Sequence, residues 1–197
     1  MSLMKVPRSL PNILTLSRLA LSPVIAVLFI IDAPWCRISL LGIIIFCELT
    51  DALDGYIARK YGLVTDLGKL LDPMADSIYR DTIFICLAVV HEVSLLLVLP
   101  ILYRDSVIAT LRAVCAYRGA VLAARTSGKI KAIFQAFVII VLVILRIVAL
   151  YVPVVEENLF LISNLMMSLV CAVTLYSGYE YLRAMAPELK TVVNPPE

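Results

Sequence analysis

The sequence has few charged residues for its length, only one histidine and only one tryptophan. Of its 197 residues, 16% are charged and 62% are hydrophobic, whereas an ordinary soluble domain has roughly 25% charged and about 45–50% apolar residues. So few charges cannot cover the surface of a soluble domain of this size, and a disordered chain or a nucleic-acid-binding arm would need more of them. The composition predicts an integral membrane protein with no nucleic-acid partner.

Cysteine and histidine are too scattered to form a disulfide scaffold or a zinc site. The five cysteines lie in apolar segments without a Cys-x-x-Cys pair, and we interpret them as small core residues. His91 is the single histidine, and it lies away from the aspartates at positions 51–76. Any metal site in this chain is therefore expected to use oxygen ligands.

Six hydrophobic segments are long enough to cross a membrane, at about 20 apolar residues for each span. They cover about residues 12–31, 38–58, 68–90, 94–117, 130–151 and 160–182. The mixed basic and apolar segment Met1–Leu10 is predicted to lie in the membrane interface. The sequence thus predicts an all-α polytopic membrane protein, with one embedded domain over residues 1–186 and a polar tail over residues 187–197.

Lysine and arginine predict the orientation of the segments. With six spans, the basic groups that flank the segments fall on one side of the membrane. They are Lys5, Arg8 and Arg18, then Arg59, Lys60 and Lys69, then Arg118, Arg125, Lys129 and Lys131, and finally Arg183 and Lys190. Both termini are therefore predicted to be cytoplasmic, in an inner or plasma membrane.

Four aspartates lie at the cytoplasmic ends of the second and third segments. Asp51 and Asp54 share one helix face with Gly55, Ala58 and Arg59, at spacings of 3, 4, 7 and 8 residues from Asp51. Gly68, Asp72 and Asp76 follow one another at intervals of four residues, again on one face. The connection of residues 61–67 is short, so we expect the two faces to meet and the four carboxylates to converge.

Carboxylates inside a membrane segment are costly and indicate a functional site. Four so close together cannot all stay ionised without cations between them, and carboxylate oxygens suit Mg²⁺, Mn²⁺ or Ca²⁺ rather than zinc. The alternative is a structural network neutralised by Arg59 and Lys69, but four carboxylates exceed those two cations. Gly55, Ala58 and Gly68 serve either close helix packing or clearance for a ligand, and the sequence leaves both open.

The pattern D-x2-D-G-x2-A-R-x8-G-x3-D-x3-D runs from Asp51 to Asp76 and resembles the signature of the CDP-alcohol phosphotransferases. The resemblance implies two Mg²⁺ or Mn²⁺ ions held by Asp51, Asp54, Asp72 and Asp76, with Asp76 also acting as general base. It implies a CDP pocket lined by Asp54, Gly55, Ala58, Arg59, Thr65 and Gly68. It also implies a homodimer, which the residues themselves do not indicate.

A second polar cluster bears on the acceptor alcohol. It contains Arg104, Asp105, Arg112, Lys129, Lys131 and Gln135. Arg112, Lys129 and Lys131 place cations where the phosphate of an acceptor could bind. The alternative is positive-inside bias with snorkelling side chains, which stays open for Lys129 and Lys131. Arg112 lies deeper in its segment, which favours a functional role.

This cluster, together with Asn12, Thr15 and Arg18, resembles the phosphatidylglycerophosphate synthase branch of the same family. That branch has an Arg-Glu pair followed by Leu-Arg, a G-K-x-K-T-x2-Q segment and an N-terminal N-x2-T-x2-R. Here Asp105 replaces the usual glutamate, Ala132 the usual threonine, and Ser77 a lysine that commonly follows the last aspartate.

The resemblance implies transfer of the phosphatidyl group of CDP-diacylglycerol to sn-glycerol 3-phosphate, with release of CMP. The nearest alternative is the same chemistry with another acceptor: phosphatidylglycerol, as in cardiolipin synthesis, inositol phosphate, serine or a choline-type alcohol. A remote alternative is a divalent-cation transporter that uses the intramembrane carboxylates. That alternative leaves the glycine-containing nucleotide face unexplained.

Overall fold

The structure, a computed structural model, describes residues 10–60, 66–117 and 126–193, and all regular elements in these ranges are α-helices. The helices are α1 (Leu10–Ile31), α2 (Pro34–Lys60), α3 (Asp66–Val89), α4 (Leu95–Tyr117), α5 (Thr126–Ala149) and α6 (Pro153–Val193). The prediction of an all-α chain with six helices is confirmed over the described residues. Nearly all of the predicted interfacial segment Met1–Leu10 lies outside them.

The sixth helix is longer than the hydrophobic pattern predicted. It has 41 residues and extends past Leu182 into the stretch that we expected to form a polar tail. Except for Pro187, residues 184–190 are alanine, methionine, leucine, glutamate and lysine, which favour a helix regardless of their polarity. The helix ends two residues before Pro195, a residue type that disfavours helix immediately before it.

Three of the described helices are long and apolar enough to cross a membrane: Ile13–Ile31, Thr126–Ala149 and Pro153–Ala186. The helices α2, α3 and α4 carry the aspartates and basic residues of the predicted polar clusters, and this lowers their hydropathy. Large apolar side chains such as Ile30, Leu96 and Ile133 are exposed on the outside of the helices, as a lipid-facing surface requires. That all six helices cross the membrane stays a prediction.

The helices pack as two sets of three around one apolar core. The helix α1 packs against α2 and α3, whereas α6 packs against α4 and α5, and contacts between α2 and α5 and between α3 and α4 join the two sets. The core between them contains Phe29, Leu40, Phe84, Ile139 and Val170. The predicted aspartates therefore belong to the α1–α3 set and the predicted basic cluster mainly to the α4–α6 set.

A buried arginine connects the helix ends that lie opposite the aspartates. Arg146, near the end of α5, is 1% exposed. Its Nε lies 2.7 Å from Oε1 of Glu92 and its Nη2 lies 2.8 Å from Oδ1 of Asp32. Its guanidinium carbon lies 4.5 Å from the centre of the Phe29 ring. Burial raises the pKa of Glu92, an effect that the Arg146 guanidinium opposes.

The turn between α1 and α2 adds a second arginine to this cluster around Arg146. Arg37 donates from Nε and Nη2 to the two carboxylate oxygens of Asp32, both at 2.8 Å, and from Nη1 to the carbonyl of Arg146 at 2.8 Å. Asp32 has a φ of 49°, in the left-handed region that aspartate tolerates better than most residues. Carboxylates from two turns thus converge on one guanidinium of α5.

We expect Arg146→Ala to lower the free energy of unfolding by about 3 kcal/mol, because it leaves the largely buried Glu92 carboxylate without its cation and removes one of the two cations that contact Asp32. Thermal or denaturant unfolding of the purified protein in detergent micelles measures this change. Arg183→Ala, at an exposed position of α6, is the matched control and should change stability little. Equal stability of the two variants would contradict the structural role of Arg146.

Candidate active site

Three of the four predicted aspartates meet two polar side chains of α1. Arg18 is fully buried, and its Nη1 lies 2.5 Å from Oδ1 of Asp51 on α2. The same nitrogen forms an ion pair with Asp76 on α3. Thr15, one helical turn earlier, donates from Oγ1 to Oδ1 of Asp72 at 2.6 Å. The residues Thr15 and Arg18 of the N-x2-T-x2-R segment therefore contact the aspartates directly.

The sequence predicted that the aspartate faces of α2 and α3 meet each other. In the described residues, the backbones of α2 and α3 do not pack directly on each other; α1 packs on both helices, and Arg18 contacts a carboxylate from each. An Arg80–Glu48 ion pair of 3.3 Å also joins α3 to α2, and the Tyr79 hydroxyl donates to the Ile44 carbonyl at 3.4 Å. Sequence analysis did not identify Glu48 as a partner.

Several predicted site residues are described only at the level of the backbone. Asp54, Gly55, Ala58 and Arg59 lie in the last two turns of α2, Gly68 lies in the first turn of α3, and Asn12 lies in the first turn of α1. Their side chains lie outside the described part of the structure, and so does the whole of Thr65. Their roles therefore remain predictions.

The oxygen donors near Arg18 are of the type that hard divalent cations prefer. Asp51, Asp72 and Asp76 supply carboxylates and Thr15 a hydroxyl, without a soft ligand among them. Within the described residues, no three acidic, histidine or cysteine side chains are grouped closely enough to hold a metal ion. The side chain of Asp54, the fourth predicted ligand, lies outside the described part of the structure. The donor chemistry fits Mg²⁺ or Mn²⁺.

The second polar cluster is organised around one buried carboxylate. Asp105 of α4 accepts hydrogen bonds from Lys131 Nζ on both of its oxygens, each at 2.6 Å. Arg104 donates from Nη1 to the same Asp105 at 2.8 Å and from Nη2 to the Ser177 hydroxyl at 2.8 Å. Lys131, predicted as a phosphate ligand, is therefore buried and paired with Asp105.

The other predicted acceptor residues differ in exposure. Gln135 lies four residues after Lys131 on the same buried face of α5 and donates to the Thr174 hydroxyl at 3.2 Å. Lys129 is exposed. Arg112 is half-buried on α4, and its Nε donates to the Tyr181 hydroxyl at 2.8 Å. The structure thus brings Lys131 and Gln135 into one buried cluster, whereas Arg112 stays partly accessible to solvent or a ligand.

The helix α6 supplies a wall to this cluster that sequence analysis missed. Thr174, Ser177, Gly178 and Tyr181 follow one another at helical spacing on one buried face. A Cβ atom at Gly178 would lie 2.8 Å from Cγ of Arg104, so only glycine leaves room for the arginine stem. A face of small and hydroxyl residues within an apolar helix is typical of a polar helix contact in membranes, and that signal could have identified α6.

Comparison with known protein families gives a match over the range that contains both clusters. The family model described as CDP-alcohol phosphatidyltransferase matches residues 8–179. The chain belongs to this family. The matched range includes the three aspartates around Arg18 as well as Asp105, Arg112 and Lys131. Membership makes the protein a transferase of phospholipid biosynthesis in a membrane, within a family that uses divalent metal ions.

Curated relatives are similar over nearly the whole chain. A protein of Rickettsia bellii named CDP-diacylglycerol–glycerol-3-phosphate 3-phosphatidyltransferase is 34% identical over 92% of this chain and 97% of its own length. A Bacillus subtilis protein of the same name is 32% identical over 93% of this chain and 98% of its own length. A cardiolipin synthase fusion protein of Schizosaccharomyces pombe is 41% identical over 49% of this chain and 16% of its own length.

We expect Asp105→Asn to lower the free energy of unfolding by about 3 kcal/mol, because it removes the carboxylate that neutralises the buried Lys131. Unfolding in detergent micelles measures the loss. Glu157→Gln makes the same carboxylate-to-amide change at an exposed position and should be neutral. If both variants unfold at the same temperature, Asp105 does not hold the cluster together.

Proposed function

We propose that this chain transfers the phosphatidyl group of CDP-diacylglycerol to the 1-hydroxyl of sn-glycerol 3-phosphate. The products are phosphatidylglycerol phosphate and CMP. The observation that carries the proposal is the similarity, over more than nine-tenths of the chain, to proteins named CDP-diacylglycerol–glycerol-3-phosphate 3-phosphatidyltransferase. The grouping of signature aspartates at one end of the helices and of basic residues on α4 and α5 supports it.

The donor is bound by the residues of the signature. Asp51, Asp54, Asp72 and Asp76 would hold two divalent ions, Mg²⁺ or Mn²⁺. Such ions neutralise a pyrophosphate and stabilise the phosphoryl group during transfer. The CDP portion lies against Asp54, Gly55, Ala58, Arg59, Thr65 and Gly68, where small residues leave room for the nucleotide. Asn12 lies at the start of α1, close along the chain to the residues that hold the aspartates.

Asp76 takes the proton of the acceptor hydroxyl. The hydroxyl oxygen forms a bond to the β-phosphorus of CDP-diacylglycerol, and the bond from that phosphorus to the bridging oxygen of CMP breaks. Arg18 contacts Asp76 and Asp51, and Thr15 contacts Asp72. The helix α1 therefore fixes the carboxylates of two neighbouring helices relative to one another, which keeps the base at a constant position.

The acceptor phosphate is bound by the basic cluster. Arg112 is the direct contact, because it is half-buried and its described hydrogen bond uses only Nε. Lys129 is exposed and adds a mobile positive charge. Lys131 retains one N–H beyond its two hydrogen bonds to Asp105, so it contributes to binding from a fixed position. Arg104, Asp105 and Gln135 hold this arrangement together.

All six helices cross an inner or plasma membrane in this proposal, with both termini and the site on the cytoplasmic side. The basic residues of the connecting segments support that orientation. The acyl chains of the donor lie between helices that are open to the bilayer, while the head group reaches the aspartates. The active form is a homodimer.

An assay of CMP release distinguishes the proposed acceptor from the alternatives. The purified protein is given CDP-diacylglycerol, Mg²⁺ or Mn²⁺, and one acceptor at a time: glycerol 3-phosphate, phosphatidylglycerol, inositol phosphate, serine or choline. We expect CMP release only with glycerol 3-phosphate and its loss when the metal is chelated. Release with another acceptor alone would assign that acceptor instead, and cation transport without CMP release would indicate a transporter.

We expect Asp76→Asn to lower kcat by on the order of 100-fold or more, because an amide cannot accept the hydroxyl proton. The measurement is the same CMP assay at saturating concentrations of both substrates. Thermal unfolding of the variant checks that the loss does not reflect a misfolded protein. Full activity of Asp76→Asn would exclude Asp76 as the base.

A further inference from the structure

We propose that Tyr181 of α6 is a positioning residue for the acceptor phosphate, and that it acts by fixing the guanidinium of Arg112. This inference rests on the proposed function, in which Arg112 binds the phosphate of glycerol 3-phosphate. It extends the acceptor site to a helix on which sequence analysis identified no site residue.

Two contacts between Tyr181 and Arg112 restrain the guanidinium in different directions. Nε of Arg112 donates to the Tyr181 hydroxyl at 2.8 Å, which restrains the guanidinium along the direction of the N–H bond. The guanidinium carbon also lies 4.9 Å from the centre of the Tyr181 ring, a cation–π distance. One tyrosine therefore restrains both the position and the tilt of the arginine head.

The hydrogen bond leaves the terminal nitrogens of Arg112 for a ligand. Among the residues that the structure describes, the Tyr181 hydroxyl is the only hydrogen-bond partner of Arg112. The Nη1 and Nη2 atoms can then form two parallel hydrogen bonds to a phosphate. The other buried cations of this cluster are committed to protein groups: Lys131 to Asp105, and Arg104 to Asp105 and Ser177.

Tyr181 is itself held rigidly by apolar packing. Its side chain is 3% exposed and lies in a cluster with Ile108, Cys115 and Met185. Ile108 and Cys115 lie four residues before and three residues after Arg112 on α4, so the ring packs along the face of α4 that carries the arginine. A ring fixed in this way orders Arg112 before the acceptor binds, and ordering in advance reduces the entropy lost on binding.

The substitution Tyr181→Phe removes the hydroxyl and keeps the ring. We expect it to raise the KM for glycerol 3-phosphate about tenfold, equivalent to about 1.4 kcal/mol, and to leave the KM for CDP-diacylglycerol unchanged. Steady-state CMP release, with each substrate varied in turn, measures both constants. The matched control is Tyr179→Phe on the same helix, where the side chain is 61% exposed and the change should be without effect.

A double-mutant cycle with Arg112→Lys tests whether Tyr181 acts through Arg112. Lysine has no Nε–H group to donate to the tyrosine, so Tyr181→Phe should have no further effect on the KM for glycerol 3-phosphate in the Arg112→Lys protein. Thermal unfolding in detergent is measured for each variant. A purely structural contact between α4 and α6 would lower stability and would not discriminate between the two substrates.

The outcomes separate this inference from the proposed function. If Arg112→Ala raises the KM for glycerol 3-phosphate and Tyr181→Phe does not, the positioning role is wrong and the acceptor site stands. If neither substitution changes that KM, Arg112 does not bind the acceptor and the proposed phosphate site fails. If Tyr181→Phe changes both KM values equally, or still acts in the Arg112→Lys protein, the positioning role is overturned.

Discussion

Arg18 and Arg146 are the two largest side chains that the described part of the protein buries completely. A guanidinium in an apolar interior is tolerated only where carboxylates or other acceptors meet it, because an unpaired buried charge costs several kcal/mol. Arg18 therefore requires Asp51 and Asp76 at one end of the helices, and Arg146 requires Asp32 and Glu92 at the other. Both requirements include α1, along which Arg18 and Asp32 are about 21 Å apart. The helices packed on α1 are thus held at two levels and cannot slide past it.

The two polar clusters of the proposed site differ in which charge lies at the centre. Around Arg18, one cation connects carboxylates from separate helices, so the site is assembled only when α1, α2 and α3 have packed. Around Asp105, one carboxylate neutralises Lys131 and Arg104, whereas both terminal nitrogens of Arg112 have no partner among the described residues. In the proposed function, the donor and acceptor residues therefore belong to separate helix sets, which are joined by the contacts of α3 with α4 and of α2 with α5.

Local spacing predicted the six helices and the common face of Asp72 and Asp76 on α3, because residues three or four apart on a helix share a face whatever the rest of the chain does. The convergence of all four aspartates stays a prediction. The partners of Arg18 lie 33 and 58 residues away, and Asp32 lies 114 residues from Arg146; no periodicity within a helix contains such information. Lys131 was predicted as a ligand of the acceptor phosphate, whereas its pairing with Asp105 depends on how α4 and α5 both pack on α6. Gly178 and Tyr181 were overlooked because α6 is largely apolar and because their role depends on contacts with Arg104 and Arg112 of α4.

The left-handed turn at Asp32 has a consequence for how the protein is made. Its carboxylate has two cationic partners, and one of them, Arg37, is only five residues away, whereas Arg146 is synthesised more than a hundred residues later. If α1 and α2 both cross the membrane, as in the proposed topology, they can enter the bilayer as a hairpin in which Arg37 already pairs with Asp32. When α5 packs on the earlier helices, Arg146 binds the Asp32 carboxylate, which Arg37 already holds. Glu92, between α3 and α4, balances the added positive charge. Asp32 therefore has a cationic partner before Arg146 is synthesised.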